Sequence, residues 1–292
     1  MKNTIYVNPG KKKRISILPY ILILPAMALF MIFNFYPFLK AILLSFSMTN
    51  KQGEVTQWVG LANWVRVLTK DSFWDVIWIT LKMAGINLVF TFAIALIFAL
   101  LATKKVRFSK WYALPMAIAS SPAAAIFLFI FRQKNGLLNN LLGTSISWTT
   151  KLPYAFWAVC SMTIWMHVGI SFIFLLVGFR NVPEEVLESA WLDGAGPLAR
   201  IRHILIPMAS PQLFFVLFLN ISSSFRSFAQ IRLLTGGGPA NGTKNLIYYI
   251  YENAMINGRF ETACVQAVVL FILIFSITQI QFALEKRIVH YQ

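Results

Sequence analysis

Acid is what this sequence has least of. Ten Asp and Glu stand against 26 Lys and Arg, and charged residues make up only 12% of the 292, where a soluble domain carries roughly 25%. With 58% of the chain hydrophobic, a water-soluble core of this length leaves much apolar surface with nowhere to hide. None of the ten carboxylates falls well inside an apolar stretch, which removes the usual residues of an intramembrane proton or sodium relay. Two cysteines, Cys160 and Cys264, each lie in an apolar segment without CxxC spacing, so a disulfide framework and a zinc site are both excluded. They read as small buried hydrophobes. No cluster of acid, base or metal ligand suggests an enzyme. The Gly-x4-Gly-Lys-Ser/Thr phosphate cradle is missing too: Gly242-Thr243-Lys244 has its last pair reversed, so the chain has no P-loop for nucleotide. No low-complexity tract, internal repeat or soluble insertion appears, the longest polar insertion being 40–76.

Long apolar runs are what the chain has instead. Six stand out: Ile15–Leu39, Ile77–Ala102, Trp111–Phe131, Tyr154–Phe179, Met208–Gln230 and Thr262–Leu284. About 20 apolar residues cross the ~30 Å hydrocarbon layer, and backbone in lipid must bond within its own segment. The expectation is an all-α integral membrane protein of about six transmembrane helices, with a basic tail at 1–14 and a transmembrane domain over 15–292. Ala26-Met27-Ala28 resembles a leader cleavage site, but the apolar run continues to Phe46 with only Lys40 inside it, so an uncleaved first helix is expected. Basic residues fall in short clusters between apolar segments and form no single face, so nucleic acid is not an expected partner. Segments 1–14, 103–110, 180–207 and 285–292 hold 14 Lys and Arg in 58 positions, and segments 40–76, 132–153 and 231–261 hold 10 in 90. The excess on the first set places it, and both termini, in the cytoplasm. Trp58, Trp64, Trp74, Trp111 and Tyr248 suit interfacial belts.

The most informative stretch is the cytoplasmic loop 180–207. Asn181 and Pro183 can start a helix with Glu184, Glu185 and Glu188 near its positive end. Gly194 and Gly196 break it, and Pro197 suits the first turn of a second short helix carrying Arg200, Arg202 and His203. Val186, Leu187, Ala190 and Trp191 recur at helical spacing and offer a stripe for a partner to bury. An amphipathic connector lying on the membrane fits the same residues.

The loop resembles the EAA loop of permease subunits of binding-protein-dependent ABC importers. That pattern is Glu-Ala-Ala, three residues, Gly, nine residues, then Ile-x-Leu-Pro. It reads here Glu188-Ser189-Ala190, Gly194 and Ile204-Leu205-Ile206-Pro207, with Ser189 and Ile206 as mild departures. Asp193-Gly194-Ala195 matches the carbohydrate and glycerol-3-phosphate branch. Trp58-Val59-Gly60-Leu61-Ala62-Asn63-Trp64, Gly136-Leu137-Leu138-Asn139 and Leu234-Thr235-Gly236-Gly237-Gly238-Pro239 resemble outer segments of the same permeases. The resemblance implies a MetI-like permease fold in the plasma membrane of a prokaryote. It implies three partners: a second permease, a homodimeric ATPase that holds the ATP and Mg, and an extracytoplasmic solute-binding protein. This chain is then expected to hold no cofactor. Coupling to the ATPase is carried over to Glu188, Ala190, Asp193, Gly194, Ala195 and Pro207.

Polar residues inside spans are the expected solute path. The fifth run supplies Asn220, Ser222, Ser223, Ser224, Arg226, Ser227 and Gln230; Asn87 and Thr91 lie in the second, Trp165, His167 and Ser171 in the fourth. Arg226 could hold an anionic or hydroxyl-rich solute, or snorkel at the interface. The resemblance implies a sugar, an oligosaccharide or glycerol 3-phosphate. A stand-alone ion-coupled transporter is the alternative reading.

Overall fold

The computed structural model describes residues 18–50, 52–103 and 109–288. The expected basic tail 1–14 and most of the basic segment 103–110 lie outside them. The described chain is helical apart from a small outer hairpin, as apolar runs in lipid require.

The first span runs from Leu18 to Phe30, passes through a π turn at Met31–Phe35 and continues over Tyr36–Ser45. Most of it is exposed, and it meets the bundle mainly through the last span, where Phe38 and Phe271 rings sit 4.8 Å apart. Two antiparallel strands, Ser47–Thr49 and Val55–Trp58, follow. Asn63 explains this corner. Its buried amide donates to the Ser45 and Ser47 carbonyls at 3.2 and 2.8 Å, and Trp64 donates to the Ser45 hydroxyl. The second span is Asp71–Ala102 and the fourth is Tyr154–Arg180, and these two pack along each other at the centre of the bundle. The last span is Phe260–Ile288.

Two expected spans prove shorter. Trp111–Phe131 is not one helix but a 3-10 segment, Ser109–Ala117, then a kink at extended Ala119 and an α-helix, Ser120–Ile130. Pro115 and Pro122 each lack a backbone N–H, which breaks the ladder between the two halves. Met208–Gln230 likewise divides into Ser210–Ser224 and Ala229–Leu234, and the first of these meets the preceding helix Pro197–Met208 at a 73° bend. Among the described residues four helices are long and apolar enough to cross a membrane, or five if the bent pair is one span. The expected six is reached only by adding the short third segment.

Two apolar layers hold the centre. Met83, Met162, Val159 and Ile231 form one, and Ala95, Ala99, Phe172, Leu175 and Val216 form the other. Close helix approach depends on small residues. A Cβ on Gly178 in the fourth span would lie 2.6 Å from the Gln212 Cβ, whereas one on Gly85 in the second would meet nothing within 4 Å. Gly178→Val should therefore destabilise the purified protein by about 1–3 kcal/mol through overpacking, while Gly85→Ala should leave its thermal unfolding midpoint unchanged or slightly raised. Equal midpoints for the two variants would contradict this packing.

Candidate coupling bracket and translocation pathway

The stretch after the fourth span folds as a bracket of two short helices. Pro183 is extended and leads into Glu184–Leu192, with Glu184 and Glu185 in the first turn. That helix ends in a Schellman motif: Gly194 N–H donates to the Trp191 carbonyl at 3.0 Å and Ala195 N–H to the Ala190 carbonyl at 2.9 Å. The motif needs a left-handed residue, and Gly194 supplies it at φ +81°. The spacing of Ala190, Gly194 and Ala195 is thus the spacing of a helix terminator. Gly196 is the N-cap of the second helix and Pro197 its first residue. A π turn at Ile201–Leu205 follows, where Ile206 N–H reaches back to the Ile201 carbonyl just ahead of Pro207. Arg180, at the end of the fourth span, donates to the Ala102 carbonyl at 3.2 Å and closes the end of the second span.

One side of the bracket is seated and the other is bare. Leu187 and Ile201 pack against the inner core, where Leu205 is buried with Phe179 and Val182. Val186, Trp191, Leu192 and Leu198 are exposed, Leu192 by 80%. The expected stripe is therefore divided. Leu187 faces the protein's own core and Ala190 is half-buried, while the bare apolar edge runs across the turn through Leu192 and Leu198. Glu188 and Asp193 are exposed, and Ala195 and Pro207 are half-buried. Nothing lies within 4 Å of a Cβ built on Gly194.

A polar layer is contributed by three helices that pack on one another. Asn87 and Thr91 bring it from the second span, Ser171 from the fourth, and Asn220 from Ser210–Ser224, all nearly fully buried. The Ser171 hydroxyl lies 2.9 Å from the Asn220 side-chain Oδ1 and 3.0 Å from the His167 backbone carbonyl of its own helix, and can donate to either. Three polar atoms here have no partner: both ends of the Asn87 amide and the Asn220 nitrogen. Buried polar atoms are normally satisfied, so these three are exceptions that leave hydrogen-bonding capacity unused between the helices.

The other sequence candidates are more scattered. His167 is half-buried, with Nδ1 2.7 Å from the Thr163 carbonyl of its own helix. Ser223 bonds the Asn220 carbonyl and Ser224 is buried beside it. Gln230 is buried against Met166 Sδ at 3.5 Å, away from the layer. Arg226 sits exposed in the break after Ser224. Sequence reasoning missed the Ser171–Asn220 bond, which no spacing could reveal, and the Leu192–Leu198 edge, which crosses a turn.

A bundle of spans around a polar layer, with a helical bracket at one end, defines a multi-pass membrane permease. The family of binding-protein-dependent transport system inner membrane components matches residues 96–290, and the chain belongs to that family. It is 31% identical over 284 residues to the sn-glycerol-3-phosphate transport system permease protein UgpA of Agrobacterium fabrum strain C58, covering 94% of this chain and 97% of that one. The UgpA protein of Yersinia enterocolitica is 32% identical over 289 residues, covering 95% and 97%. Among solved structures, a bacterial ABC transporter involved in import of the acidic polysaccharide alginate superposes with a TM-score of 0.83 at 22% identity, covering 94% of this chain and 96% of that one. The MetNI methionine ABC transporter gives 0.55 at 17% identity, covering 76% of this chain and all of the other. The fold is that of ABC importer permeases, as the resemblance implied, and the chain is a multi-pass permease of a binding-protein-dependent ABC importer of the bacterial inner membrane.

If the orphaned layer serves the solute and not the fold, Asn87→Leu separates the two roles. Filling the site with an apolar side chain of similar volume should leave stability equal or higher. Solute uptake should fall roughly tenfold, the effect of losing about 1–2 kcal/mol of polar contact. A destabilised variant with normal uptake would show that the layer is structural.

Proposed function

We propose that this chain is one of two non-identical permease subunits of an ATP-driven importer for a sugar, an oligosaccharide or glycerol 3-phosphate, and that it forms half of the translocation pathway. The carbohydrate branch is favoured by the Asp193-Gly194-Ala195 match and by the relatives that carry the name sn-glycerol-3-phosphate transport system permease. In this reading both termini lie in the cytoplasm, supported by the twofold higher density of Lys and Arg in the segments on that side. ATP and Mg bind a separate homodimeric ATPase, and an extracytoplasmic protein delivers the solute. The chain itself performs no catalysis.

The bare edge of the bracket carries this reading. Trp191, Leu192 and Leu198 leave an exposed apolar edge on the two-helix bracket, the kind of edge that a partner's groove receives. The open space around Gly194 is room that a docked ATPase would fill. ATP binding closes the ATPase dimer and draws the bracket with it, which opens the pathway toward the loaded binding protein. Hydrolysis resets the cycle, and each state is favoured by its own ligand. The orphaned Asn87 and Asn220 face the solute during passage, with His167, Ser223, Ser224, Arg226 and Gln230 nearer the ends of the path.

Purification of the assembled complex and uptake into proteoliposomes test this together. The wild type should co-purify with an ATPase and require internal ATP, with no need of a proton gradient. Leu192→Asp places a charge in the docked face, and it should remove most of the bound ATPase while the spans stay inserted. Gly194→Trp has room in the free chain apart from a left-handed backbone cost of about 1–2 kcal/mol, and should abolish ATP-driven uptake; Gly194→Ala should weaken it less. Normal uptake by Gly194→Trp, or uptake driven by a proton gradient alone, defeats the proposal.

A further inference from the structure

A cleft of about 500 Å³ opens beside the third segment, away from the polar layer and the bracket. One wall is a single helical stripe: Ala125, Leu128, Phe129 and, one turn further, Arg132. These are the outward positions of Ser120–Ile130, whose inward positions Ala123, Ala124 and Phe127 are buried in the core. The facing wall is Ser147 to Thr150. Trp148 in that wall is held rigid, its indole N–H donating to Asn139 at 2.9 Å and its ring packed on Phe131 and Tyr154.

The cleft is polar at one end and apolar at the other, and its polarity follows the helix. Leu128 and Phe129 are 41% and 57% exposed on the lipid-facing side. Arg132 and Thr149 sit where the helix ends and the backbone leaves its ladder, which in a membrane is the interface. Charge points the same way. Segment 132–153 carries Arg132, Lys134 and Lys151 and no acid, and the whole chain has no Asp or Glu between Asp75 and Glu184. The ion pair of Lys244 with Glu252 lies elsewhere. Among the described residues Arg132 pairs with no carboxylate. An aromatic wall, a free guanidinium and an apolar slot running into the hydrocarbon fit an anionic amphiphile.

We propose that this cleft binds an anionic phospholipid, with the headgroup phosphate on Arg132 beside Trp148 and Thr149, and an acyl chain laid along Ala125, Leu128 and Phe129. A guanidinium is the side chain best matched to phosphate geometry. The lipid covers a face that the chain leaves bare and offsets part of the charge of a segment that carries only cations.

Photo-crosslinking of the assembled importer tests this. The complex is placed in phosphatidylcholine nanodiscs doped with photoactivatable phosphatidylglycerol, and the labelled peptides are mapped by mass spectrometry. Labelling is expected within 125–150, and Arg132→Gln should lower it roughly fivefold, the factor for about 1 kcal/mol per cation near a lipid surface. Arg132→Lys should retain most of it, and Ala125→Trp should block the apolar end. Arg132 has no side-chain bond within the described chain, and ATP-driven uptake of Arg132→Gln reports whether the complex is intact. Equal labelling by photoactivatable phosphatidylcholine overturns the anionic specificity. Competition by soluble glycerol phosphate or inorganic phosphate shows a site for free anions and overturns the lipid assignment, as does a cross-link from this face to the second permease.

Discussion

Backbone that leaves a helix at the membrane must find partners for its N–H and C=O groups, since each unsatisfied one costs several kcal/mol in lipid. In this chain that obligation is met by asparagine. Asn63 donates to two carbonyls at the hairpin corner. Asn139 holds the outer turn from both sides, donating to the Arg132, Gln133 and Ile146 carbonyls and accepting from Ile146 N–H, the Thr144 hydroxyl and Trp148. Asn245 donates to the Ser227 carbonyl and caps the helix Leu246–Tyr251 through Tyr248 N–H. Asn253 bonds Tyr249 and joins Gln266 of the last span. Each of these is nearly fully buried. Asn63 keeps its Oδ1 unpaired but spends its nitrogen on two carbonyls; Asn87, equally buried, has neither amide atom paired, and the Asn220 nitrogen is unpaired too. The same residue type serves structure in the loops and is held in reserve between the spans.

This contrast explains how far the sequence could be read. The second, fourth and last spans were legible from hydropathy alone, because an uninterrupted apolar run in lipid has one stable conformation. The third and fifth were overestimated, because hydropathy does not register a missing N–H at Pro115 or a bend at Ala209. The bracket was legible in detail: Pro183, Gly194, Gly196 and Pro197 each have one backbone role, and each plays it. Its exposed edge was only half legible. A helical period assigns Leu187 and Trp191 to one stripe, but packing turns Leu187 inward, and the turn at Gly194 brings in Leu198 from a separate helix. Asn63 and Asn139 stand within outer segments read only by resemblance, and their work is to hold backbone, away from solute.

The polar layer shows what a single sequence withholds. Polar residues in spans were identifiable one by one, but their grouping depends on helix rotation. Ser171 and Asn220 are joined by a hydrogen bond and Asn87 and Thr91 are buried on the span that packs on both their helices, whereas Gln230 bonds Met166 and Arg226 is exposed. The second, fourth and fifth elements all contact one another, and the layer sits where their small and polar faces coincide.

Position along one helix links the bracket to that layer. Ala209, at the 73° bend, and Asn220 belong to the same straight segment, about 16 Å apart at 1.5 Å per residue. The bracket is seated on the core through Leu187, Ile201 and Leu205, so a pull on its tip cannot be absorbed by a loose loop. In the proposed cycle it rocks the helix that begins at Ser210. That rocking moves Asn220 relative to Asn87 on the second span and slides Ser210–Ser224 along the fourth, where Gly178 sits flush against Gln212 and only a small side chain fits. A layer already saturated with hydrogen bonds would resist the movement by the cost of breaking them. One with unpaired amides resists less and has free valence to offer a solute, so leaving Asn87 unsatisfied serves motion and recognition by the same physical means.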